Sequence, residues 1–148
     1  MKPALLHGGI HADSRGILRY VNEEIPSNYR RFYLITHNDT NVIRAWQGHK
    51  YEEKAFYAVS GSFIIAVVYP DCFEAPSDNE KPDFFQLTEE NKSFLRVPGG
   101  GYTGIKALVS NSTLLVLSSL DLAGSKADDF RLPENKWMVD WNNLRAVK

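Results

Sequence analysis

Apolar and polar positions alternate along most of the chain with the two-residue period of strands. Gly16 to Val21 (GILRYV) reads as a short first strand after a glycine-rich polar stretch, His7 to Arg15, of turn composition. Asn22 to Asn28 is a connector, with Pro26 barring a regular ladder. Arg30 to Thr36 is a strand with Phe32, Leu34 and Thr36 on one face and Arg31, Tyr33 and Ile35 on the other. The residues His37 to Asn41 suit a tight hairpin turn. Strict alternation then puts Val42, Arg44, Trp46 and Gly48 on one face of the next strand, and Ile43, Ala45, Gln47 and His49 on the other. Phe56 to Ser60 and Ser62 to Tyr69 are two runs around Gly61, the second apolar on both faces and therefore a buried central strand.

Pro70 to Asp83 is a surface loop by composition. Phe84–Leu87, Ser93–Val97, Gly104–Val109 and Thr113–Ser118 are further short strands, with Gly99-Gly100-Gly101 separating two of them. Beyond Asp121 the pattern changes. Leu122 to Glu134 is polar and irregular, and 137–146 predicts one or two helical turns, with Trp137, Trp141 and Leu144 as an apolar stripe. About eight short strands with frequent turns predict an all-β domain of jelly-roll type with a short C-terminal helical segment. The barrel is expected over about 12–120 and a tail over 121–148 of a single domain.

Composition narrows the function classes. Among 148 residues, 17 basic and 18 acidic side chains give a net charge of −1, with no basic patch to recommend nucleic acid or an anionic membrane. The single cysteine, Cys72, excludes an internal disulfide and any Cys-rich metal site. No apolar run reaches the ~20 residues of a membrane span, and the N-terminal apolar stretch is shorter than a signal core, so a cytoplasmic protein is expected.

The candidate chemistry gathers in 42–61, a strand, a polar turn and a second strand, the arrangement that places ionisable groups at a barrel mouth. A metal is disfavoured: His49 and Glu53 are good ligands, but Gln47 and Thr103 stand where further histidines would be needed. No cofactor is expected. His49 suits removal of a proton beside a ketone near neutral pH, with Lys54 or Arg44 to stabilise the enolate and Tyr33 or Tyr102 to return a proton. The plain alternative makes His49 a polar hairpin residue and His7, His11 and His37 loop residues. Arg44 is either a solvent-facing strand residue or a guanidinium aimed at a phosphate. No Walker loop, GxGxxG or GxSxG is present.

These segments resemble, in order and spacing over about residues 12–130, the RmlC-like cupins that act on dTDP-4-keto-6-deoxyhexoses. Those are the 3,4-ketoisomerases and, more distantly, the dTDP-4-dehydrorhamnose 3,5-epimerases. Asp13-Ser14-Arg15-Gly16-Ile17-Leu18 is similar to their D-x-R-G-x-L opening, and Ile25-Pro26 with Arg31-Phe32-Tyr33-Leu34-Ile35 to a later stretch. Arg44 to Lys50 resembles the ketoisomerase signature R-G-x-H-x-H-K, and Val59-Ser60-Gly61-Ser62 the V-x-G-S that closes the next strand. Val97-Pro98 and Leu115 to Ser119 are similar to the last two barrel strands.

The resemblance implies a homodimeric cupin taking a nucleotide-sugar. His49 corresponds to the second signature histidine, Arg44 to the arginine lining the site, and Tyr33 to a tyrosine facing the ligand. Gln47 replaces the first histidine and Ala45 the glycine, and Lys54 has no counterpart in the ketoisomerase pattern, although the epimerases carry a functional lysine a few residues after their histidine. Glutamine can bond a sugar but cannot act as a base near neutral pH. Two outcomes are therefore open: catalysis by His49 with Lys54 and Tyr102, or a binding cupin that has lost the reaction.

Overall fold

The computed structural model describes residues 2–22, 25–26 and 28–144, and its strands follow the alternating segments closely. In chain order they are β1 (Ala4–His7), β2 (Gly9–Asp13), β3 (Gly16–Tyr20), β4 (Arg31–His37), β5 (Ile43–His49) and β6 (Lys54–Ser60). There follow β7 (Ser62–Val68), β8 (Asp83–Thr88), β9 (Ser93–Val97), β10 (Gly101–Ala107), β11 (Ser112–Ser118) and β12 (Phe130–Arg131). Helix α1 (Leu122–Ala127) precedes β12, and a 3-10 turn spans Trp141–Asn143. None of these helices is long and apolar enough to cross a membrane.

Two five-stranded antiparallel sheets, ordered β1-β9-β6-β11-β4 and β12-β5-β10-β7-β8, form the jelly roll, and β2–β3 stands as a separate hairpin. Between the sheets lies an apolar core that includes Phe56, Phe63, Ile65, Leu95, Leu114 and Val116. β7 is buried along its whole length. Phe63, Ile65 and Val67 join that core, whereas Ala66 and Val68 join a second, aromatic cluster on the outer face. That is why the segment reads as apolar on both faces.

Four expectations change. The stretch 7–15, expected to be a turn, contributes β2 and the end of β1, so His7 and His11 are strand residues and the first sheet begins before residue 12. Only its end, Asp13 to Gly16, is a turn, closed by Asp13 Oδ1 accepting from Arg15 N at 2.9 Å. His37 likewise closes β4 and is buried rather than lying in a loop. β10 begins at Gly101, not Gly104, because Gly101, Tyr102 and Thr103 pair with His49, Gly48 and Gln47.

The region after 121 differs most. Leu122–Ala127 is helical, capped by Asp121, whose carboxylate accepts from Gly124 N, where irregular chain was expected. At 137–146 the helical turns reduce to the 3-10 turn at 141–143, and 145–146 lie outside the described residues. Trp137, Trp141 and Leu144 still pack together, all on the outer aromatic cluster with Trp46. The connector 22–28 falls partly outside the described residues.

Candidate active site

The inner face of the first sheet is graded from polar to apolar. Register places Lys54, Ser118 and Arg31 in one row, Phe56, Val116 and Tyr33 in the next, and Ala58, Leu114 and Ile35 below. The opposing β5–β10 pair carries a bulge: Thr103 pairs with Gln47, but Ile105 pairs with Arg44. The extra residue on β5 sends Ala45 and Trp46 both outward, to the aromatic cluster. Arg44 thereby joins Gln47 and Thr103 on the cavity, whereas strict alternation places it on the opposite face from Gln47.

The result is a cavity of about 520 Å³ inside the barrel, walled by Tyr33, Arg44, Gln47, Lys54, Thr103 and Arg131 over a floor of Ile35, Phe56 and Ile105. A smaller depression of about 270 Å³ shares Tyr33, Gln47 and Lys54 with it and ends on His49 and Arg31. Lys54 sits at the junction, 5% exposed. Its ammonium donates to Tyr33 Oη at 3.0 Å and to Gln47 Oε1 at 3.3 Å. Gln47 Nε2 in turn donates to Asp129 Oδ1 at 3.1 Å. The Arg131 guanidinium, above all, holds the Asp129 carboxyl below the usual range. Gln47 is thus fixed at both ends of its amide.

His49 is buried, 5% exposed, at the end of β5. Its Nδ1 lies 2.7 Å from the Asp128 carbonyl oxygen and 2.8 Å from Glu52 Oε2. Two acceptors there require the proton on Nδ1, so the neutral ring carries its lone pair on Nε2. Nε2 is buried without a hydrogen-bonding partner among the described residues. Glu52 is fully buried, and its Oε1 accepts from Ser125 at 2.5 Å and from Ser118. Arg31 lies 3.6 Å from the same oxygen. Burial pushes the Glu52 carboxyl up, but the bonds from His49, Ser118 and Ser125 outweigh it and hold it down at about 2. Glu52 is therefore an anion against the imidazole.

The segment after the last long strand closes this end of the barrel. Asp128 accepts backbone bonds from Lys50 at 2.9 Å, Tyr51 at 2.9 Å and Glu52 at 2.8 Å, clamping 121–131 onto the turn that follows β5. One carboxylate thus fixes both the Glu52 backbone and the ceiling of the depression.

The structure brings His49, Tyr33, Arg44, Gln47 and Lys54 to these two connected spaces. It does not bring Tyr102. That ring projects to the other side of the sheet, stacks on Phe73 and donates to the Phe73 carbonyl at 3.1 Å. Its register partner is Gly48, where a Cβ would lie 2.4 Å from the Tyr102 ring. Burial raises its hydroxyl pKa. Glu53, weighed above as a metal ligand, is taken by Arg96 at 3.1 and 3.0 Å and by Tyr29 at 2.7 Å. Among the described residues no group of three or more His, Cys, Asp or Glu side chains is disposed to hold a metal.

Sequence reasoning missed Arg31, Glu52, Asp129 and Arg131. A carboxylate three residues after a candidate histidine, across a turn, was a readable signal for Glu52. Asp129 and Arg131 carried none, because their segment reads as irregular tail.

No protein-family model matches the chain. It is 27% identical over 141 residues to a Haloferax volcanii protein named a probable low-salt glycan biosynthesis epimerase, Agl13, covering 90% of this chain and 88% of that one. The structure superposes on a mutant 3,4-ketoisomerase, QdtA, from Thermoanaerobacterium thermosaccharolyticum solved with TDP-4-keto-6-deoxyglucose. That match has TM-score 0.71 and 22% identity and covers 92% of this chain and 91% of that chain. Against a dTDP-4-dehydrorhamnose 3,5-epimerase from Bacillus anthracis, solved with TDP and PPi, the TM-score is 0.78 at 16% identity, over 98% and 87% of the two chains. The fold is that of the RmlC-like cupins.

Proposed function

We propose that the chain is an isomerase or epimerase of a dTDP-4-keto-6-deoxyhexose that works by metal-independent proton transfer beside the ketone. One observation carries this reading: His49, which lines a space together with Lys54, has its Nδ1 held by the Asp128 carbonyl and Glu52 while its Nε2 is buried and unpaired among the described residues. Nε2 takes the C3 proton, the C–H electron pair becomes the C3–C4 double bond, and the C4 oxygen gains the negative charge. The buried Lys54 ammonium meets that oxygen, and the anionic Glu52 stabilises the imidazolium. Transfer of the O3 proton to the C4 oxygen, with reprotonation at C4, moves the ketone to C3; reprotonation at C3 from the other face, the C4 carbonyl re-forming, gives the epimer.

Tyr33, whose oxygen accepts from Lys54 and whose own proton is left for the cavity, replaces Tyr102 as the proton donor. Arg44 and Arg131 supply guanidinium groups to the diphosphate. The relatives' ligands support a nucleotide-sugar as the substrate class. The β2–β3 hairpin, separate from both sheets and with Ile10, Ile17 and Leu18 exposed, supports the expected homodimer. β3 is paired with β2, so the hairpin as a unit is what is available for a partner.

The second reading is a non-catalytic nucleotide-sugar-binding cupin. It is favoured by Gln47, which cannot act as a base and is fixed between Lys54 and Asp129. NMR of dTDP-4-keto-6-deoxyglucose incubated with the protein separates the two. A new keto-sugar or epimer supports the enzyme; binding with an unchanged sugar supports the binder.

A further inference from the structure

We propose that His37 is a positioning residue that presents Arg44 to the phosphoryl oxygens of the ligand by occupying its Nε, an inference that rests on the nucleotide-sugar reading above. His37 closes β4 on the far side of the cavity from His49 and is 1% exposed. Arg44 Nε donates to His37 Nε2 at 3.0 Å. An arginine can meet an anion through its Nε/Nη edge or through its Nη1/Nη2 edge. With Nε committed to His37, the Nη1/Nη2 edge is the one left for the cavity that Arg44 lines. The bulge in β5 brings Arg44 to that face, and His37 then fixes how the guanidinium is turned.

The bond requires a neutral imidazole protonated at Nδ1. That nitrogen is buried and has no hydrogen-bonding partner among the described residues. A buried donor left unpaired disfavours the fold, and an apolar side chain against Phe63, which His37 meets edge-on at 5.6 Å, would avoid the penalty. The arrangement is thus better accounted for by what Nε2 does for Arg44 than by stability.

The surroundings keep the ring neutral. Burial foremost, then Arg44 from β5, pushes the His37 pKa below its ordinary value; Asp39 in the following turn opposes this, and Lys106 from β10 adds to it. Lys106 is itself tied to the Thr40 carbonyl, so its charge is fixed beside the turn. Protonation at low pH would set an N–H against the Arg44 Nε–H and release the guanidinium.

The test is calorimetric titration of the full chain with dTDP, for wild type, His37→Leu and His37→Gln. Gln keeps an oxygen that can accept from Nε. His37→Leu is expected to weaken dTDP by about tenfold, the worth of one charge-assisted bond, with a melting temperature no lower than wild type. His37→Gln is expected to stay within about threefold of wild type. On acidification below the ordinary histidine range, wild type should lose affinity more steeply than His37→Gln, because only wild type carries the His37 titration. His37→Leu binding as tightly as wild type, or His37→Gln binding as weakly as His37→Leu, overturns the assignment. If His37→Leu does not fold, the pH difference between wild type and His37→Gln decides: parallel profiles overturn it. A wild type that does not bind dTDP overturns the nucleotide-sugar reading and this assignment with it; a wild type that binds, with an unaffected Leu variant, overturns this assignment alone.

Discussion

The Nδ1 of His49 lies 2.8 Å from Oε2 of Glu52, three residues further along the same turn. A buried carboxylate against Nδ1 fixes the tautomer and turn of the ring, and it stabilises the charge that appears when Nε2 takes a proton. Glu52 can do this because Ser118 and Ser125 satisfy its other oxygen, so it stays ionised although buried.

Replacing Glu52 by Gln should therefore lower kcat by about 10²-fold, with KM changed much less, as steady-state kinetics would show. The same carboxylate makes stability depend on acid. Its folded pKa of about 2 is below the ordinary carboxyl value of 4.5, so its contribution is fully present above the unfolded pKa and is lost as pH falls through the folded one. Denaturant titrations should show wild type losing on the order of 3 kcal/mol between these pH values, and Glu52→Gln losing much less. Parallel curves for the two proteins would contradict the ion pair.

Lys54 lines both spaces and is held by Tyr33 and Gln47. Lys54→Met keeps most of the side-chain volume and removes the charge. A loss of about 10²- to 10³-fold in kcat is expected, with dTDP affinity within about threefold of wild type. A large loss of dTDP affinity with kcat intact would instead make Lys54 a phosphate ligand.

Tyr102 distinguishes the geometry from the sequence expectation. Tyr102→Phe removes its bond to the Phe73 carbonyl, so about 1 kcal/mol of stability should go while kcat stays within about twofold. A drop of about 10²-fold in kcat would restore the tyrosine to the reaction.

Asp128 holds the 121–131 segment through three backbone amides. Asp128→Ala should cost about 2 kcal/mol or more, since buried donors are left unpaired. The amides of Lys50, Tyr51 and Glu52 should exchange faster with solvent, a local signature that hydrogen-exchange mass spectrometry resolves. Unchanged exchange there would contradict the clamp.

The alternating segments were enough to place almost every long strand, because one face of each is core and the other is solvent or a second cluster. They also marked β5 and the turn after it as the candidate site. Alternation failed at Arg44, where one bulge reverses the faces and the local composition gives no sign of it. It failed again at Tyr102, where Gly99-Gly100-Gly101 hid the true start of β10 and so the direction of the ring. The tail was unreadable for a different reason. Ser125, Asp128 and Asp129 are fixed by partners on the turn after β5 and on Gln47, contacts between segments about 80 residues apart that no local pattern encodes.

Deuterium wash-in separates proton transfer from binding most directly. With dTDP-4-keto-6-deoxyglucose in heavy water, NMR should show the wild type exchanging the C3 hydrogen, and His49→Asn should slow that exchange by at least about 10²-fold while still binding dTDP. Exchange at the wild-type rate in His49→Asn, or none in wild-type protein that binds the sugar nucleotide, would contradict the assignment of His49 as the base.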